Sequence, residues 1–195
     1  MSNKTLGPII SLWKDAYIRF IVYFIVLYFL LNGFNEAFIG ITAEGGLYSP
    51  FLDKHLNYIN WWRTFTIEST ATVLRWLDYT VYTNEYQLKV IGKSGFRMVY
   101  SCIGYGIMSV FAAFVITFPG KIKARFGFLV LGLVIIQLLN TLRLILLSLY
   151  WSRRNPLFDM DHHDIFNIVV YSVLIILVFV WLKYVSKPAK HQEIV

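Results

Sequence analysis

The sequence predicts an all-α integral membrane protein, a single small bundle with four spans, an outer interfacial or re-entrant helix and a short β-hairpin. Of the 195 residues, 57% are hydrophobic and only 15% are charged, whereas a soluble domain has about 25% charged residues. Four mainly apolar stretches approach or reach the roughly 20 residues that a hydrocarbon core requires. No linker, repeat or low-complexity tract separates a second unit, so residues 1–195 are expected to form one membrane domain.

The predicted spans cover residues 18–34, 99–118, 126–150 and 165–182. The first stretch is longer than the apolar core of a cleavable signal peptide, and no small-residue cleavage pattern follows it, so we interpret it as a span. Pro119 and Gly120 end the second stretch, because neither residue favours continuation of a helix. A short basic loop then connects the second and third spans.

The distribution of charge predicts the topology. Nine Lys and Arg residues and two acids lie in three segments: the N-terminal segment, the loop between the second and third spans, and the C-terminal segment. Their balance equals the whole net charge of +7. The other segments hold nine basic and nine acidic residues. The positive-inside rule places the three basic segments in the cytoplasm. No nucleic-acid partner is needed to explain the charge. Because both termini and the central loop are assigned to the cytoplasm, residues 35–98 must cross the membrane an even number of times, most simply not at all. They are therefore expected at the outer face.

Two structures are predicted within the outer region. Residues 61–82 have a helical pattern, but Glu68, Arg75 and Asp78 make this a poor span, so an amphipathic helix on or dipping into the outer face is expected. Residues 86–91 and 96–100 flank a Gly-Lys-Ser-Gly turn and predict a β-hairpin. The turn lacks the spacing of a phosphate-binding loop.

Three chemically active residues lie at the same-side ends of successive predicted spans. Cys102, the only cysteine, opens the second span, Arg143 lies near the end of the third, and His163 precedes the fourth. At 1.5 Å per residue, Arg143 lies about 26 Å into a core of about 30 Å. All three are therefore expected at the outer boundary of the membrane. A thiol, a guanidinium and an imidazole at one depth suggest a nucleophile, an anion stabiliser and a base.

Neighbouring polar residues support an inward-facing site. Gln137, Asn140 and Arg143 recur every three residues on an otherwise apolar helix, which predicts one buried polar stripe. Asn167 lies one turn after His163, on the same face of the fourth span.

The histidine pair requires a choice. His162 and His163 point about 100° apart on a helix, so only one can share a face with Cys102. His163 is the preferred base, because it aligns with Asn167 and is followed by Asp164, a possible orienting acid.

Structural and metal-binding alternatives remain open for these residues. Cys102 could be core packing, Arg143 could snorkel to headgroups and the histidines could belong to a solvated loop. A metal site is a further alternative, but adjacent histidines diverge and no second His or Cys cluster completes a ligand set. No metal and no cofactor are therefore expected. The possible ligands in that alternative are Asp159, Asp161, His162, His163 and Asp164.

At these positions the sequence resembles the exosortase/archaeosortase family of membrane cysteine transpeptidases. The matching motifs are Ser-Cys-Ile-Gly at 101–104, Asn-Thr-Leu-Arg at 140–143 and His-Asp at 163–164, together with the hairpin before the cysteine. The resemblance covers roughly residues 61–184. The chain is shorter than the eight-span members, and Ile103 and Asn167 replace residues that are commoner in the family.

The resemblance implies a compact bacterial enzyme of the cytoplasmic membrane with its site facing outward. Cys102, Arg143 and His163 would be catalytic, with Asn140, Asp164, Asn167 and His162 in support. The implied partners are the bilayer and exported proteins that end in an apolar helix and a basic tail. The acceptor stays open among an amine, a glycan, a lipid and water. Two alternatives remain: a thiol endopeptidase or acyltransferase with the same residues, and a non-enzymatic component of polysaccharide export or complex assembly.

Overall fold

The computed structural model describes residues 16–43, 45, 47–150 and 162–185, with the side chains of the last helix described over 168–183. This part of the chain is mostly helical, with one small antiparallel sheet of three strands in sequence order. In chain order the elements are α1 Ala16–Thr42, α2 Pro50–Leu56, α3 Tyr58–Trp76, β1 Val81–Thr83, β2 Gln87–Val90, β3 Gly95–Arg97, the 3₁₀ helix Tyr100–Ile103, α4 Tyr105–Thr117, α5 Ile122–Tyr150 and α6 His162–Val185.

Two of the described helices are long and apolar enough to cross a membrane. They are α1, with 27 residues, and α5, with 29 residues. Helix α4 and the apolar part of α6, Ile168–Lys183, are shorter than a full span. The prediction of a helical membrane bundle is therefore supported, but four spans of full length are not found in the described part of the chain.

Helix α5 is the centre of the fold. It packs against α3, α4, α6 and two strands of the sheet, whereas α1 packs mainly against α4. Side chains of α4, α5 and α6 form one apolar cluster around Phe111, Ile136 and Leu174. A second cluster joins α3, the sheet and the segment that contains Cys102. The cysteine thus lies where α3, the sheet and α5 meet.

The second predicted span begins too early. The expected helix over 99–118 is replaced by a 3₁₀ helix at Tyr100–Ile103, and α4 begins only at Tyr105. Gly104 separates them with φ of 88°, a left-handed conformation that interrupts helical geometry and that glycine adopts without steric cost. The thirteen residues of α4 extend about 20 Å. Cys102 therefore lies in a turn before the helix and not in its first turn.

The amphipathic helix predicted over 61–82 is present as α3. It begins three residues earlier and ends six residues earlier than expected. The Asn57 side chain caps it by accepting a hydrogen bond from the backbone N–H of Asn60 at 2.9 Å. Beyond its end, Asp78 has φ of 63°, which turns the chain away from helical geometry. One face of α3 is buried and packs against α5 and the sheet.

The predicted hairpin is confirmed and has an additional strand. Strands β2 and β3 pair with Leu88 opposite Phe96, and Gly92 in the connecting turn has φ of 73°. Strand β1 pairs with β2 through Tyr82 and Lys89, although Val81 and Tyr82 were expected to be the last residues of the helix. Leu88 and Val90 point inward and are fully buried. The sheet thereby anchors the segment that leads into Cys102.

Candidate functional site

Cys102 lies in the 3₁₀ helix that connects the sheet to α4. Its backbone N–H donates to the carbonyl of Val99 at 2.9 Å, which closes the turn. The residue is buried, with 8% of its surface exposed, and shares an apolar cluster with Ile59, Ile103 and Leu144. The only thiol of the chain is therefore held in a buried, mainly apolar position between α3 and α5.

Asn140 connects α5 directly to the cysteine. Its side-chain amide donates to the carbonyl oxygen of Cys102 at 3.1 Å, and both groups are buried. The same amide nitrogen lies 3.9 Å from the position that a Cβ on Gly104 would occupy. The supporting residue that sequence spacing singled out is thus in contact with the cysteine segment, across a separation of 38 residues.

Arg143 lies one turn after Asn140 on the same face of α5. It is 7% exposed, and Gln137 and Asn140 are also buried, so the polar stripe predicted from the spacing faces the protein interior. The neighbouring Leu144 is in the same apolar cluster as Cys102. Arg143 therefore lies on the buried side of α5, next to a residue that packs in the Cys102 cluster.

The histidine side of the predicted site lies outside the described side chains. Helix α6 begins at His162, but the side chains of His162, His163, Asp164 and Asn167 are not among those described. The described part of α6 packs in the α4–α5 cluster through Val170 and other apolar residues. The convergence of His163 with Cys102 and Arg143 therefore stays a prediction.

The metal alternative is also largely outside the described part of the chain, because its five possible ligands fall within 159–164. Among the described residues, no group of three or more His, Cys, Asp or Glu side chains forms a candidate metal site.

A second polar connection, not predicted from the sequence, joins α3 and α5. Gln137 donates its side-chain amide to the hydroxyl of Thr66 at 2.9 Å, and both residues are buried. Thr66 in turn donates to the carbonyl of Trp62. This bond lies one turn of α5 before Asn140, so α5 holds both α3 and the cysteine segment with adjacent amide side chains.

A buried arginine of α3 was also missed. Arg63 is only 4% exposed, and its guanidinium carbon lies 4.1 Å from the ring centre of Tyr86 and 5.5 Å from that of Tyr100. The available signal was its spacing, since Arg63 lies four residues after Ile59 and four before Ile67, both buried. A charge at that position belongs to the buried stripe and not to the polar face.

An open cleft lies beside the cysteine segment, between α1, α3 and α4. It has a volume of about 690 Å³ and is mostly apolar. Its polar floor is formed by Asn35, which donates to the Ser109 hydroxyl at 3.2 Å and accepts from the Tyr58 hydroxyl at 2.7 Å. Ile103 and Tyr105 border the cleft. The cleft therefore reaches the residues that follow Cys102 in the chain.

The fold and site together define a class: a transmembrane helical protein in which a buried cysteine turn is fixed by polar residues of a central apolar helix. A family model described as transmembrane exosortase (Exosortase_EpsH) matches residues 10–180. The chain belongs to this family, as the resemblance in the sequence indicated, and the match is wider than the three motifs. No curated protein and no solved structure matches the chain.

Proposed function

We propose that the protein is an exosortase-like cysteine transpeptidase that cleaves C-terminal sorting signals of exported proteins at the outer face of the bacterial cytoplasmic membrane. The observation that carries this proposal is the hydrogen bond from Asn140 to the Cys102 carbonyl, one helical turn from the buried Arg143. It supports the proposal because a nucleophile and an oxyanion-stabilising cation must be held in fixed relative positions.

The reaction is acyl transfer. His163 accepts the proton of the Cys102 thiol, and the thiolate attacks a peptide carbonyl of the substrate. The carbonyl oxygen becomes negatively charged, and Arg143 stabilises it where little water competes. When the C–N bond breaks, His163 returns the proton to the departing amine. The products of this half-reaction are a thioester on Cys102 and the released C-terminal segment of the substrate.

The acceptor determines the outcome of the second half-reaction. An amine, a glycan hydroxyl or a lipid hydroxyl that attacks the thioester gives a transpeptidase or acyltransferase, whereas water gives an endopeptidase. Each acceptor loses one proton and regenerates the Cys102 thiol. The alternatives therefore share the thioester, and the mass of the processed product distinguishes them.

Trapping the thioester tests the proposal. The chain is co-expressed with a candidate substrate that is encoded nearby and ends in an apolar helix and a basic tail. We expect a covalent adduct on Cys102 that hydroxylamine releases. Cys102→Ala should form no adduct, while Ser101→Ala, a change at the exposed neighbouring residue, should form it normally. Full biological function of Cys102→Ala would instead favour the non-enzymatic alternative.

A further inference from the structure

Arg63 carries a buried positive charge that the described residues do not neutralise. It is 4% exposed, and its Nη2 donates to the Asn60 side-chain oxygen at 2.6 Å. Its Nε has no hydrogen-bond partner among the described residues. Within the described part of the chain, the one ion pair joins Arg75 to Glu68, so no carboxylate lies within 4 Å of Arg63. A buried cation is costly unless it is paired.

The surrounding groups compensate this charge only in part. Tyr86 and Tyr100 present their rings to the guanidinium, which is a favourable but neutral interaction. Hydrogen bonds from Asn57 and Tyr48 lower the pKa of the Asp53 carboxyl, and the charge of Arg63 contributes only the weakest of the effects on it. Both carboxylate oxygens of Asp53 already accept hydrogen bonds, from Tyr48 and Asn57. The guanidinium thus retains donors and charge for an anion.

Two chains of contacts link Arg63 to the segment that contains Cys102. Tyr100, whose ring lies 5.5 Å from the guanidinium, begins the 3₁₀ helix that contains Cys102. On the other side, Thr66 lies three residues after Arg63 and is bonded to Gln137 of α5. Asn140, one turn further along α5, holds the Cys102 carbonyl. Arg63 and Arg143 therefore lie on two different helices that both contact the cysteine segment.

The chemistry of Arg63 selects its ligand. An arginine Nε and a neighbouring Nη form a planar fork that matches the two oxygens of a carboxylate. The covering ring belongs to Tyr86, which is 45% exposed and lies between strands β1 and β2, outside both. A slim carboxylate side chain can enter beneath that ring, whereas a lipid phosphate carries bulky substituents on two oxygens.

We propose that Arg63 forms a subsite for a carboxylate side chain of the substrate peptide, next to the bond that Cys102 attacks. This proposal rests on the proposed function for the identity of the substrate. Arg63 would be a specificity-determining residue, and Tyr86 its movable cover. A peptide with an acid at this position would be preferred over the same peptide with the corresponding amide.

The test uses the single cysteine as its own reporter. Purified full-length chain in detergent is treated with 2-carboxyethyl methanethiosulfonate and, separately, with its neutral amide analogue, 2-(aminocarbonyl)ethyl methanethiosulfonate. The Cys102 thiolate attacks the sulfenyl sulfur of each reagent, which forms a mixed disulfide and releases methanesulfinate, so mass spectrometry measures both rates. We expect the acid reagent to saturate, and its rate relative to the amide to fall about tenfold or more in Arg63→Gln. Arg75→Gln, an exposed arginine of the same helix, should leave the ratio unchanged.

A second variant separates binding from mere packing. Tyr86→Leu removes the ring but keeps the guanidinium, so the preference for the acid reagent should persist or increase. If that variant loses the preference, or if Arg63→Gln leaves the ratio as it was, the subsite does not exist and Arg63 only packs the sheet. Loss of the preference in phosphatidylglycerol nanodiscs but not in phosphatidylcholine nanodiscs would assign Arg63 to an anionic lipid headgroup and overturn the proposal.

These measurements require only that Cys102 reacts with the reagents. A carboxylate preference without any thioester adduct would retain the subsite and reject the proposed function. A thioester adduct without the carboxylate preference would retain the proposed function and reject the subsite.

Discussion

The side-chain amide of Asn140 on helix α5 donates a 3.1 Å hydrogen bond to the carbonyl oxygen of Cys102, which lies 38 residues earlier in the chain. This contact fixes the cysteine turn against α5 at a point where helical geometry has been interrupted by Gly104. A buried carbonyl that loses its donor costs about 1–3 kcal/mol. The position of the thiol therefore depends on a side chain that contributes no reactive group.

Asn140→Leu should slow formation of the Cys102 adduct by about tenfold or more, because each 1.4 kcal/mol of lost positioning corresponds to a factor of ten. It should also lower the thermal midpoint in detergent. Leu142→Ala, a change at a half-exposed position of the same helix, serves as the control. An Asn140→Leu variant with the normal adduct rate would show that the hydrogen bond is not needed to position the thiol.

Arg143→Lys should insert into the membrane normally yet lose most substrate processing. Arginine presents two donors in a fixed plane, whereas lysine offers a compact point charge that cannot hold an oxyanion and a neighbouring carbonyl together. Processing is measured by the mass of the released substrate in cells, and insertion by membrane fractionation. Near-normal processing would favour an arginine that only snorkels towards headgroups.

His163→Ala should abolish processing, while His162→Ala should retain most of it. The two side chains point about 100° apart, so only one can face the thiol. The measurement is the rate of adduct formation on Cys102. The opposite result would place the helix register one residue away from the prediction, and loss in both variants would revive the metal alternative.

The topology can be mapped with single cysteines in a Cys102→Ala background. An impermeant thiol reagent added from outside should label cysteines at Ser94 and Asn155 but not at Ser186. The reason is the concentration of net positive charge in the three segments assigned to the cytoplasm. Labelling of Ser186 from outside would contradict that assignment and place the site on the cytoplasmic side.

Asp53 should contribute to stability at neutral pH but not in acid. Hydrogen bonds from Asn57 and Tyr48 lower the pKa of its carboxyl below the usual 3.8, against an opposing effect of burial. A lowered folded-state pKa stabilises the fold above the unfolded-state pKa, and this contribution disappears as the pH falls through the folded-state value. Asp53→Asn should therefore lower the unfolding midpoint more at pH 7 than near pH 3.

The exposed acid Glu85 provides the control for Asp53, as Glu85→Gln. An effect of Asp53→Asn that is equal at pH 7 and pH 3 would mean that side-chain shape matters at this site and the charge does not.

The sequence alone determined the class of the protein, because hydropathy and local spacing report which faces of a helix avoid water. It also determined the hairpin, from its glycine turn, and the inward stripe of Gln137, Asn140 and Arg143. Those features depend on neighbours within a few residues. The family assignment, drawn from three separated motifs, was confirmed over most of the chain.

Only the tertiary structure decided that the α-helix expected from residue 99 begins at Tyr105. Residues 99–104 contain no charge or proline that would mark this change in the sequence. It also decided that Arg63 is buried and that Gln137 bonds to Thr66. These outcomes depend on hydrogen bonds and ring contacts between segments up to 71 residues apart. A local pattern carries no information about which distant group will satisfy a buried donor, so packing alone settled how the cysteine turn is held.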